Sequence, residues 1–86
     1  MKLEVINVQT KHVVLSHSAD LPASEFYNEV LGGFNLALRI HGGLAWQPYK
    51  VINDFADALA KLQRGQARSV TFAIDRTNLE ATLSLK

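Results

Sequence analysis

Cysteine is absent from the 86 residues, and proline occurs only twice. Without cysteine there is no disulfide, no thiolate ligand for a metal and no cysteine nucleophile. No apolar run approaches the roughly 20 residues that cross a bilayer, and Glu4, Asn7 and Gln9 interrupt the apolar core that a signal peptide would need. We therefore expect a cytoplasmic protein with no membrane partner.

Charge of one sign is also lacking. Nine Lys and Arg residues against eight Asp and Glu residues leave a net charge of +1, whereas a nucleic-acid-binding domain is usually strongly basic. Nucleic acid is therefore not the expected partner. Lys61, Arg64 and Arg68 belong to the densest basic group and are kept as an alternative site for phosphate contacts.

The composition is that of an ordinary globular protein, with 48% hydrophobic and 20% charged residues. This length suits one domain, so we predict a single α+β domain over residues 1–86. A chain this short buries only about 60–65% of its unfolded surface. A partner subunit would therefore add useful stability.

Apolar residues predict a β-hairpin at each end of the chain. Residues 2–9 and 12–17 are rich in β-branched side chains and are joined by a short link. Residues 70–75 and 79–86 alternate regularly around a polar loop. The pairs expected in the first hairpin are Val8 with His12, Ile6 with Val14, Val5 with Leu15, and Leu3 with His17. Both faces of this hairpin are then partly apolar.

Two amphipathic helices are predicted between the hairpins. The first has capping residues and Pro22 at its start, runs to about Leu31, and is expected to stop at Gly32-Gly33 because glycine often ends a helix. The second runs from about Tyr49 to Arg64, and Gly65 follows it.

The stretch Phe34–Tyr49 contains the most regular strand pattern. Apolar residues alternate with others from Phe34 to His41, and Gly42-Gly43 suits a two-residue hairpin turn. Such a turn pairs His41 with Leu44 and Arg39 with Trp46. The predicted order is thus ββ-α-ββ-α-ββ, a two-layer sandwich with a mainly antiparallel sheet and two helices on one face.

This arrangement leaves an apolar group on the sheet face away from the helices. Aromatic and aliphatic side chains beside an arginine are typical of an interface core. We therefore expect a small non-enzymatic interaction module that forms a homodimer or binds another protein through this outer face. The candidate interface residues are Arg39, His41, Leu44, Trp46, Ile6, Val8 and Val14.

An alternative is a cleft for a small anionic ligand, or for catalysis, formed by Arg39, His41, Trp46 and Tyr49. No catalytic residues, metal site or cofactor are predicted. The three histidines lack the local spacing of metal ligands, and the sequence has no G-x-S-x-G nucleophile elbow to accompany the His41-Gly42-Gly43 segment. Whether the protein is an enzyme is left open, with binding favoured.

Overall fold

The two ends of the chain build an antiparallel sheet. The computed structural model describes residues 1–41 and 48–85. Within them the strands are β1 (Lys2–Asn7), β2 (His12–Ser18), β3 (Ser69–Ala73) and β4 (Leu79–Ser84). Their order in the sheet is β2-β1-β4-β3, so the first and last strands meet at the centre. Both predicted terminal hairpins are confirmed.

The first hairpin has the predicted register at its open end only. Val5 pairs with Leu15 as expected, but a bulge then shifts the register so that Ile6 pairs with Val13 rather than with Val14. His12 pairs with Asn7 and not with Val8.

The turn explains this shift. The Asn7 side-chain oxygen accepts hydrogen bonds from the amides of Gln9 and Thr10, at 3.0 and 3.1 Å, so β1 ends at Asn7 and the predicted pair of Val8 with His12 does not form. The extra residue of β2 is taken up as the bulge. Val14 consequently packs against the core instead of standing on the outer face.

Two helices cover one face of this sheet. α1 (Ala23–His41) lies against β2, and α2 (Pro48–Gln63) lies against β3 and β4. Buried side chains from both helices and from the inner face of the sheet form one core. The predicted α+β sandwich, with an antiparallel sheet and two helices on one face, is confirmed, although the central part of the predicted order is not.

The helix stop at Gly32-Gly33 and the strand at residues 34–41 are wrong predictions. α1 continues through both glycines to His41. The reason is the spacing of its buried residues, because Phe26, Val30, Phe34 and Leu38 follow one another at four-residue intervals and are all in the core. Burial of Phe34 and Leu38 outweighs the low helix propensity of two glycines, about 1 kcal/mol each.

The second helix agrees with its prediction. Its C-terminus forms a Schellman motif, in which the Gly65 amide bonds to the Leu62 carbonyl at 3.2 Å and the Gln66 amide to the Lys61 carbonyl at 3.0 Å. Gly65 has a φ of 71°. A glycine takes up this left-handed conformation with little strain.

Candidate functional site

The exposed side of α1 carries an apolar pair. Leu36 is 58% exposed and Ile40 is 65% exposed, and they are four residues apart on one helix face. In the predicted strand, Leu36 and Ile40 would share one face with Phe34 and Leu38. In the helix these four residues separate, because residues two apart point in different directions. Phe34 and Leu38 are buried, and Leu36 and Ile40 face outward.

Small residues adjoin this pair on the same helix. Gly32 and Gly33 are exposed, and in the described part of the chain a Cβ atom added to either would meet no atom within 4 Å beyond its own helix backbone. Packing among the described residues therefore gives no reason for glycine at these positions. Gly32 lies one turn before Leu36 on the same face, which leaves a shallow depression beside the leucine.

Charges of opposite sign lie at the two ends of this surface. Glu25 is in the first turn of α1 and Arg39 is in the last turn. Glu29 is also exposed, one turn after Glu25. We call this surface the α1 face, and it consists of Glu25, Glu29, Gly32, Leu36, Arg39 and Ile40. Its residues are spaced by three and four, so that they share one side of the helix.

The edge of the α1 face borders β2. The Nε2 atom of His17 lies 3.4 Å from the Oε2 atom of Glu29. This nitrogen is buried and makes no hydrogen bond, so the contact is a close approach without hydrogen-bond geometry. The His17 ring also packs against Phe26, with 5.7 Å between ring centroids. His17 thus links β2 to α1 mainly through packing.

The predicted interface residues do not share one sheet face. Arg39 and His41 are exposed at the C-terminal end of α1, on a helix and not on a strand. Leu44 and Trp46, together with the predicted Gly42-Gly43 turn, lie outside the described residues.

Three predicted residues belong to the first hairpin, and they separate too. Val14 turns to the core, Ile6 stays on the outer sheet face, and Val8 is in the turn. Ile6 has Val13 beside it, which is 46% exposed.

The outer sheet face is otherwise mainly polar. Lys2 and Glu4 form an ion pair there at 3.6 Å, and the hydroxyls of Thr71 and Thr82 lie 2.9 Å apart. Ile6 is flanked by Val13 on one side and Glu80 on the other. The apolar part of this face is therefore smaller than the sequence pattern predicted.

The other described residues of the alternative sites lie near the ends of α2. Tyr49 is 85% exposed in its first turn. Lys61 is in its last turn, and Arg64 and Arg68 are exposed in the connection to β3. In residues 1–41 and 48–85 no three His, Asp or Glu side chains are grouped to hold a metal ion.

One signal in the sequence could have revealed the α1 face. The four-residue spacing of Phe26, Val30, Phe34 and Leu38 crosses Gly32-Gly33 without interruption. A helical pattern that continues past a glycine pair favours one long helix, and Leu36 and Ile40 then fall outside its buried stripe.

Neither helix of the described chain has the length and apolarity needed to cross a membrane.

No protein-family model matches this sequence, and no curated protein and no solved structure matches it either. The site is therefore characterised by its own geometry.

Proposed function

We propose that this protein is a small, non-enzymatic interaction module that self-associates through the α1 face. The observation that carries the proposal is the exposure of Leu36 and Ile40 side by side on a long helix. Adjacent exposed aliphatic side chains on a small domain favour a contact with another protein. The expected partner is a second copy, because the charges of the face complement themselves.

The charge pattern supports an antiparallel pairing of two α1 helices. Glu29 and Arg39 are ten residues apart, which is about 15 Å along a helix. In an antiparallel pair centred at the level of residue 34, Glu29 of each copy would lie opposite Arg39 of the other. A parallel pair would instead place Glu29 of one copy beside Glu29 of the other, and two like charges in contact repel each other.

The shape of the face supports the same arrangement. Gly32 and Leu36 are equally far from residue 34, so Leu36 of one copy would lie over Gly32 of the other. A glycine beneath a leucine allows two helices to approach closely, as a ridge packs into a groove. This would also account for a glycine that has no role in packing within one chain.

A contact along one helix is small, below the roughly 1,200 Å² typical of stable complexes. The dimer should therefore be weak and should appear only at high micromolar protein concentration. Leu44 and Trp46, which lie outside the described residues, remain candidate interface residues from the sequence alone.

Sedimentation velocity over a range of concentrations tests the proposal. Leu36→Gln should shift the protein to monomer, because it places an amide in the centre of the contact. Val13→Gln is the matched control, since it alters a similarly exposed aliphatic residue on the outer sheet face. If Val13→Gln dissociates the dimer and Leu36→Gln does not, the outer sheet face is the interface. A wild-type protein that stays monomeric contradicts self-association altogether.

A charge exchange tests the orientation. Arg39→Glu and Glu29→Arg should each weaken the dimer by repulsion, and the double variant should restore it, because the opposite charges face each other again. The variant His17→Gln serves as a control for the contact between Glu29 and His17 within one chain. If the double variant is no better than either single one, the antiparallel arrangement is wrong.

A further inference from the structure

A groove of about 330 Å³ lies between α1 and α2, away from the α1 face. Each helix contributes four lining residues, and Leu59 forms part of the buried floor. Ala56 and Ala60, one turn apart on α2, line the groove with methyl groups only. The space exists because these side chains are too short to reach the opposite helix.

One wall of the groove is a rigid aromatic ring. Tyr27 is half-buried and meets Phe55 edge to face, with ring centroids 5.2 Å apart and an interplanar angle of 67°. Such packing holds the tyrosine in place, so that a ligand need not order it on binding. The amide side chains of Asn28 and Gln63 lie at the rim, one on each helix. They supply donors and acceptors without charge.

Among residues 1–41 and 48–85, no charged side chain lines the groove, although both helices carry charged residues close by. Glu25 lies within the α1 segment that borders the groove, and Asp57 and Lys61 lie within the corresponding segment of α2. None of these three lines it. An ionic ligand would therefore find no counter-charge, and its desolvation would be uncompensated.

From this arrangement we infer that the groove binds a small, uncharged, flat molecule of one or two rings with a hydrogen-bonding group. Its volume is at the lower end of the range for small-molecule sites, about 300–1,000 Å³. The ring packs between Tyr27 and the two alanines, and the polar group meets the Asn28 and Gln63 amides. This site is independent of the proposed self-association.

Amide chemical-shift mapping by NMR tests the inference, with naphthol as the neutral probe. Naphthoate, which keeps the ring system but is anionic, and protonated naphthylmethylamine are the charged comparisons. Naphthol should produce saturable shifts at Tyr27, Asn28, Ala56, Ala60 and Gln63, with an affinity at least tenfold higher than either charged probe. Equal binding of a charged probe, or shifts mapped to another part of the chain, would overturn the site.

A variant that fills the groove provides a second test of naphthol binding. Ala56→Met projects a longer side chain from an exposed position, so the fold should be retained, as its amide spectrum will show. It should weaken naphthol binding at least tenfold. Lys61→Met is the control, because it places the same side chain on the same helix outside the groove. Loss of binding in both variants, or in neither, contradicts the assignment.

The Leu36→Gln variant separates the two proposals. It should bind naphthol as the wild type does, whether or not the wild type forms a dimer, because Leu36 does not line the groove. If binding is lost in this variant while Ala56→Met retains it, the probe occupies the dimer contact and the groove is not a ligand site.

Discussion

The rings of Phe34 and Phe55 lie 5.1 Å apart at an interplanar angle of 44°, and they join the second half of α1 to α2. Both rings are almost completely buried. This contact exists only because α1 continues past Gly32-Gly33. The same continuation of α1 aligns Phe34 with Phe26, two turns earlier on the helix, and directs Leu36 to the opposite side.

The different burial of Phe34 and Leu36 predicts different effects of their substitution on stability. Phe34→Ala should lower the free energy of unfolding by about 3–5 kcal/mol, because it leaves a cavity in the core. Leu36→Ala should change it by less than about 0.5 kcal/mol, as is usual for an exposed site. Urea unfolding at a protein concentration that keeps the chain monomeric measures both values. Similar losses for the two variants would contradict the helical assignment of residues 34–41.

Two glycines should respond in opposite directions to alanine. Gly33→Ala should stabilise the monomer by about 0.5–1 kcal/mol, because alanine is the better helix former and open space surrounds the new methyl group. Gly65→Ala should destabilise it by about 1–2 kcal/mol, because the φ of 71° is strained for a residue with a Cβ. Thermal unfolding of the two variants checks the signs. A stabilising Gly65→Ala would contradict the Schellman motif at the end of α2.

The first turn can be tested at Asn7 and Lys11. Asn7→Ala removes two side-chain hydrogen bonds to turn amides and should cost about 1 kcal/mol, as loss of an equivalent cap does. Lys11 has a φ of 63°, so Lys11→Gly should be stabilising or neutral. Urea unfolding compares them, and Lys11→Ala, which keeps the Cβ, is the control for loss of the long side chain. A destabilising Lys11→Gly beside a neutral Lys11→Ala would be the contrary result.

The turn between β3 and β4 depends on the hydroxyl group of Thr77. Thr77 Oγ1 donates to the Ile74 carbonyl at 2.7 Å and accepts from the Leu79 amide at 3.0 Å. Thr77→Val keeps the shape and removes both bonds, which should cost about 1–3 kcal/mol for partly buried groups left unpaired. Thr71→Val is the control, because its bond to Thr82 is exposed and water can replace it. Equal losses in urea unfolding would show that the Thr77 bonds have no special weight.

Local signals were enough for much of the fold. Strict alternation around a polar loop predicts the last hairpin, and the Ile74 amide donates a hydrogen bond to the Leu79 carbonyl across the loop at 2.9 Å. The second helix and the start of the first were predicted from amphipathic spacing and from Pro22. In each of these segments the local preference and the tertiary packing agree.

The strand prediction for residues 34–41 is wrong because two periods of apolar residues coincide there. Phe34, Leu36, Leu38 and Ile40 satisfy a two-residue alternation, while Phe34 and Leu38 alone also satisfy a helical one. The Gly32-Gly33 pair also has the composition of a helix stop signal. Residues 32–41 alone do not distinguish the strand from the helix, although the four-residue spacing that reaches back to Phe26 favours the helix. The distinction lies in whether Phe34 and Leu38 meet the ring of Phe55 and the rest of the core, and that is a matter of long-range packing.

The candidate surface changed for the same reason. The sequence was sufficient to indicate an α+β domain with an antiparallel sheet and two helices on one face. Only the tertiary structure decided which aliphatic side chains remain exposed. The bulge in β2 carried Val14 into the core, and the continuation of α1 carried Leu36 and Ile40 out of it. The spacing of apolar residues in the sequence indicates which residues share a face. Their burial depends on what packs against that face.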